Sequence, residues 1–205
     1  MANRSYLYTI AFDPTERKKN ATDRIASIAE YNYSIPLAFQ ILASQDPKIS
    51  SSIVWDYEHP IAIVGNYAKG VAKLFSFLDE VKAKNLFPEK ELSEQIEKTK
   101  TFLSRTDRTQ EFAILECGEI FEMGDDELEE QNRNLFGEIK NIDKQIMDFH
   151  SEIERLNATI AQLEKDQSAD EQKTKKKISE LKREKWNSLA IDGWSDVLYF
   201  DFEAK

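Results

Sequence analysis

Cysteine occurs once, at position 117, so no disulfide can close within the chain. That fits a reducing compartment. Glycine is scarce, at six residues, and the five prolines stand at 14, 36, 47, 60 and 88. Collagen-like and Pro/Gly-rich low-complexity architectures are excluded. With no proline after 88, the second half is free to run as long helices. No run approaches the ~20 apolar residues of a membrane span, and Asp13 interrupts the opening MANRSYLYTIAF before it can form a secretory signal. A cytoplasmic protein is expected. Positive charge is also short: 28 Lys and Arg stand against 38 Asp and Glu, a net charge of −10. A general nucleic-acid binder needs a basic footprint, and an anionic membrane surface attracts one, so neither partner is expected. What is present in quantity is apolar side chain, 40 % of the residues with 11 % aromatic. That is enough for a real core and excludes a wholly disordered chain.

Short elements alternate through the first 124 residues. SYLYTIAF (5–12) is aromatic and β-branched and predicts a strand. Thr22 is placed to cap a helix carrying Ile25, Ile28 and Ala29 on one face. Pro36 suits the first turn of a helix through PLAFQILAS. SSIVWDY (51–57) and IAIVG (61–65) read as strands. NYAKGVAKLFSFLDEVKAK reads as a helix with Val71, Leu74, Phe75 and Leu78 on one face. Pro88 opens another, with Leu92, Ile96, Thr99 and Leu103 spaced by four, three and four. EFAILECGEIFEM reads as a strand pair or one long bent strand, broken at Gly118.

From Asp125 the period changes. Leu135, Ile139, Ile142, Ile146, Phe149, Ile153, Leu156, Ile160 and Leu163 follow in steps of four and three, an a/d seam over about four heptads. DQSADEQ (166–172) breaks it, KTKKKISELKREKWNSLA reads as a returning helix, and GWSDVLYFDF (193–202) as a closing strand. The expected fold is α+β: a small mixed α/β body (1–124 plus 191–205) carrying an inserted antiparallel coiled-coil hairpin (125–190). A parallel homodimer would instead set Glu138 against Asp143 and gain no attractive flanking pair, so a monomer is expected. With a turn near Ser168, Trp186 and Leu189 fall near Phe149 and Ile146. Ile160 and Leu163 then face Lys176 and Lys173, leaving a partly open apolar tip for a partner unless lysine stems cover it.

Catalytic constellations are missing from the pattern. His150 falls on a flank of the seam and reads as solvated. His59 precedes Pro60 in a loop with no nucleophile near in sequence. Cys117 in an apolar strand reads as a core thiol. GNYAKGVAK (65–73) follows a strand and opens a helix as a phosphate loop does, but Val71 and Ala72 stand where Lys and Ser/Thr are required. No cofactor, metal or enzymatic activity is expected.

The most unusual stretch is EFAILECGEIFEMGDDELEEQ (111–131). It holds nine carboxylates and neither Lys nor Arg. Asp125, Asp126, Glu127 and Glu129 suit a helix start. Glu111, Glu116, Glu119 and Glu122 have no such reason, so the stretch is either a solvated surface or a face for a basic partner. MANRSYLYTIAFDP, YNYSIPLAFQIL and IAIVGNYAKGVAKLFSFL, within residues 1–80, resemble a family of little-characterised bacterial proteins associated with toxin-immunity neighbourhoods. The resemblance carries no catalytic motif. It implies an immunity protein that occludes a toxin domain acting on nucleic acid or NAD, such as a nuclease or an ADP-ribosyltransferase. The expected partner-binding residues are Glu116, Glu119, Glu122, Asp125, Asp126, Glu127, Ile160 and Leu163. The alternative is a coiled-coil scaffold without a toxin partner.

Overall fold

A computed structural model describes residues 2–165 and 171–202. Among them run five strands, β1 (Arg4–Ile10), β2 (Ile25–Asn32), β3 (Lys48–Ser50), β4 (Ala62–Asn66) and β5 (Phe112–Glu116), and seven helices. The helices are α1 (Leu37–Ala43), α2 (Tyr67–Ala83), α3 (Glu89–Leu103), α4 (Gly118–Phe121), α5 (Leu128–Lys140), α6 (Ile142–Lys165) and α7 (Glu171–Leu189). The strands form one sheet in the order β2-β1-β5-β4-β3, every pair antiparallel. The mixed α/β class is therefore as expected.

Each strand sends alternate side chains to opposite faces, and both faces are covered. Leu7, Ile63, Ala113, Leu115 and Cys117 meet the helices in the larger core. Tyr6, Tyr8, Ile10, Ala62, Val64 and Ile114 meet a second, aromatic core. No helix covers that second face. It lies under the β3–β4 loop (51–61), through Ile53, Val54 and Trp55, and under a C-terminal strap (191–202), through Leu198, Phe200 and Phe202. On the helical face α1 and α2 approach closely at Gly70, where a Cβ would stand 2.1 Å from the Leu42 carbonyl oxygen. Asn66 caps α2 by accepting the Lys69 N–H at 3.0 Å.

Four local expectations are corrected. Residues 25–32 form β2, not a helix: the strand is covered on both faces, Ile25 enters the aromatic core, and Ile28 and Ala29 both enter the larger one across a register irregularity opposite Leu7/Tyr8. That irregularity breaks the two-residue alternation. Residues 51–57 and 193–202 are not strands. They lie over the sheet, burying Ile53 and Leu198 and partly burying Val54, Trp55, Phe200 and Phe202, while Val197 and Tyr199 stay exposed; the strap makes one isolated bridge, Ala29 to Trp194. The strap is hooked instead by side chains: Trp194 Nε1 donates to Thr99 Oγ1 at 2.8 Å and Tyr8 Oη to the Phe200 carbonyl at 2.8 Å. The stretch after β5 turns into α4 rather than a second strand.

The seam is buried as its period predicts, yet it is neither one helix nor a free arm. It breaks at Asn141, between α5 and α6. Leu135 through Ile160 belong to the same buried cluster as Leu74, Phe77, Leu78 and Leu92. Phe149 meets Phe77 at 5.2 Å between ring centres, and Trp186 meets Phe87 at 4.9 Å, not Phe149. α6 and α7 run antiparallel, with Lys182 Nζ 3.0 Å from Glu164 Oε1 and Lys185 Nζ 2.7 Å from Asn157 Oδ1. The expected boundaries at 125 and 190 are thus breaks in chain order across which the core continues. The turn expected near Ser168 lies outside the described residues.

Candidate functional site

The acidic stretch begins inside the protein. β5 is the central strand, with β1 and β4 on either side, so its side chains are covered above and below. Glu116 stands opposite Tyr6 and Ala62 and is fully buried. Its Oε1 accepts the Ile53 N–H at 2.7 Å, while Oε2 has no hydrogen bond among the described residues. Burial pushes its pKa up from the usual 4.5 to about 7, against the opposing pull of the Ile53 N–H, Ser52 and Lys19. Glu116 is therefore off the surface and cannot meet a partner there. Cys117 beside it is a buried core thiol, pushed up well above its usual range by burial and then by Glu116.

Glu119, in α4, is half-buried and tied to β1. Its Oε2 accepts the Arg4 N–H at 2.8 Å, its Oε1 accepts the Tyr6 hydroxyl at 3.1 Å, and its carbonyl accepts Asn3 Nδ2 at 2.8 Å. The Tyr6 hydroxyl is held neutral by burial and then by Glu119.

From Glu122 the chain comes to the surface. Glu122, Met123, Gly124, Asp125, Asp126 and Glu127 are all exposed, Met123 to 53 %. Two features fix this loop in place. Gln131 Nε2 donates to the Phe121 carbonyl at 2.9 Å and the Asp126 carbonyl at 2.7 Å, pinning both ends. Tyr57 Oη donates to Glu122 Oε1 at 2.9 Å, joining the loop to the β3–β4 loop. That junction needs Gly118, since a Cβ there would stand 2.6 Å from Tyr57 Oη. Glu129 and Glu130 then occupy the first turn of α5, where carboxylates complement the helix dipole.

Between the β3–β4 loop and the start of α5 lies a cleft of about 490 Å³. Tyr57, Glu58 and His59 form one wall, and Glu127, Glu129, Glu130 and Arg133 the other. Arg133 is paired with Glu129 at 3.0 Å, and His59 Nδ1 lies 3.9 Å from the same carboxylate. The rim is thus strongly negative, with the Tyr57 ring in it. Sequence reasoning gave the acidic loop but not its other wall. Tyr57, Glu58 and His59 lie some seventy residues earlier, and no periodicity links them to it.

The second expected contact region fares differently. Ile160 is 7 % exposed and part of the core, and Leu163 is half-buried against it. Among the described residues Ile160 is already covered and is no open apolar tip. His150 is buried rather than solvated, 7 % exposed, 5.9 Å from the Phe77 ring centre and 5.8 Å from that of Phe149. Burial, then Lys84, lowers its pKa, against the pull of Glu80, whose Oε2 lies 3.8 Å from Nε2. Among the described residues no three His, Cys, Asp or Glu side chains gather as a metal site would need, and no helix is long and apolar enough to cross a membrane.

The fold and the cleft define a mixed α/β protein with a fixed acidic loop. The chain belongs to a domain family of unknown function, DUF7822, which it matches over residues 11–165. That match takes in both walls of the cleft and ends at the last residue of α6. No curated protein and no solved structure matches the chain.

Proposed function

We propose that this is an immunity-type protein of the cytoplasm. It binds a basic toxin domain acting on nucleic acid or NAD, and occludes it with the acidic loop and cleft, without chemistry of its own. The observation that carries this reading is the run of exposed carboxylates at Glu122, Asp125, Asp126 and Glu127, held by Gln131 and Tyr57 at the mouth of the cleft. Such a surface complements a basic active-site cleft, speeds encounter and rejects acidic partners. Exposed Met123 and the Tyr57 ring give it apolar contact area beside the charge. The scaffold alternative required the seam to be available between chains; Leu135 through Ile160 are covered within this one. The paired helices α6 and α7 are then a hairpin-like brace for the body. The test is co-expression with the toxic product of the neighbouring reading frame. Growth rescue and a one-to-one complex that dissociates as salt rises support the proposal. A neighbouring product that is not toxic, or a toxin that binds elsewhere and equally well at high salt, contradicts it.

A further inference from the structure

Glu116 is buried beneath a layer that belongs to no strand or helix. The strands beside it are committed to the ladder, with Tyr6 and Ala62 as its register partners. The layer above is irregular chain, the 51–61 loop and the strap. The loop is fastened to the sheet at Ile53, whose N–H reaches Glu116 and whose carbonyl accepts Lys19 Nζ at 2.8 Å. Ser52 Oγ accepts the N–H groups of Val54 and Trp55, which leaves its hydroxyl hydrogen to favour the Glu116 carboxylate. Trp55 rests on Tyr6 and Phe200, with ring centres at 5.7 and 5.4 Å. An ionised carboxylate needs several donors, and a buried one with an unpartnered oxygen carries a large desolvation cost. Neighbouring sheet backbone supplies no further donor and Ser52 offers one hydroxyl, so water must complete the shell, and the irregular layer above is the side from which it can come.

We propose that Glu116 is a proton-operated latch on the 51–61 loop. With the carboxyl protonated the loop lies closed on the sheet. Loss of that proton to solvent draws water to the carboxylate and releases the loop at Ile53. Because Tyr57, Glu58 and His59 belong to this loop, release also moves one wall of the acidic cleft. That consequence rests on the partner face proposed above; the latch does not.

The titratable and charged groups around this corner are Arg4, Tyr6 and Tyr8 from β1, Glu30 from β2, Lys19 from the β1–β2 loop, Tyr57 from the covering loop, Glu119 from α4, Glu122 after it, Asp201 from the strap and Cys117 beside it. The three tyrosines and the cysteine are all shifted upward, so they stay neutral through the range in which Glu116 titrates.

The test uses the free full-length protein, so it does not depend on any partner. Glu116 is followed by its carboxyl carbon resonance, and amide exchange is measured at Ile53 and Trp55, corrected for intrinsic rates. Protection at Ile53 should fall by about tenfold or more as pH rises through the carboxyl midpoint, while Leu7 in β1 keeps its protection. The midpoint should lie near 7. Glu116→Gln should remove the pH dependence. A carboxyl midpoint below about 5 would overturn the latch even if that variant did not fold. So would flat Ile53 protection in the wild type, or an unchanged fall in Glu116→Gln. A working latch with no effect of pH on partner binding would leave the latch standing and remove the acidic cleft from the contact.

Discussion

Glu116 and Glu119 stand three positions apart, and neither is a surface charge. Glu116 holds its proton more tightly folded than unfolded, since its pKa is raised from 4.5 to about 7. Its contribution to stability is therefore full below about pH 4.5 and lost as pH rises through 7, on the order of 3 kcal/mol in all. Denaturant midpoints should fall across that window in the wild type and much less in Glu116→Gln. Glu119 holds the N-terminal end of β1 against α4, so Glu119→Ala should cost about 1–3 kcal/mol by leaving the Arg4 N–H and Tyr6 hydroxyl short of an acceptor. Chemical denaturation would read that directly, with an effect under about 0.5 kcal/mol showing Glu119 to be a surface charge after all. The sequence did hold a clue to Glu116. FAILEC is apolar at nearly every position, as in a strand covered on both faces, so a glutamate in it has no solvent side. Nothing local marked Glu119, whose partners Arg4 and Tyr6 lie more than a hundred residues away.

At the scale of elements, the seam from Leu135 to Leu163 was legible as a buried face, but its partner was not. Period shows which face is apolar, and an apolar face packs equally well on a second chain, a returning helix or a sheet-bound layer. Here it packs on α2 and the segment after it, through Phe77 and Leu86, as well as on α7. Excision of 126–190 behind a short Gly/Ser linker should therefore uncover Leu74, Phe77 and Leu78 and abolish the cooperative melt. A truncated body that melts cooperatively would restore the view of an independent arm. The helices after Pro36, Asn66 and Pro88 were readable because each has a local start signal and a consistent face. β2 and the strap were not, for opposite reasons. β2 is covered on both faces, so its apolar residues do not alternate, and the strap alternates like a strand while lying across the sheet instead of in it.

For the whole molecule, the covered seam leads to a monomer in the absence of a partner. Sedimentation equilibrium should give a single species near 23.8 kDa at all concentrations. A concentration-independent dimer would mean that some other face self-associates and would revive the scaffold reading. The net charge of −10 is unevenly presented at the cleft, where among the described lining residues Arg133 is the one Lys or Arg against the carboxylates of the rim, and it is paired with Glu129.

The central claim is that the loop at Glu122–Glu127 is the face that meets a basic partner. It is tested most directly by the association rate with the proposed basic partner, the product of the neighbouring reading frame, measured by stopped flow at several salt concentrations. The comparison is wild type against the quadruple variant Glu122→Lys, Asp125→Lys, Asp126→Lys, Glu127→Lys. Asp125→Lys and Asp126→Lys should each shift stability by only about ±0.5 kcal/mol; Glu122→Lys also loses the Tyr57 hydroxyl and Glu127→Lys sets a positive charge at the start of α5, so the melt of the variant is measured alongside. Association of the variant should be slower by about tenfold or more at low salt, and the gap should close as salt rises. Equal rates for the two proteins at low salt would contradict the claim and leave the acidic loop as solvated surface.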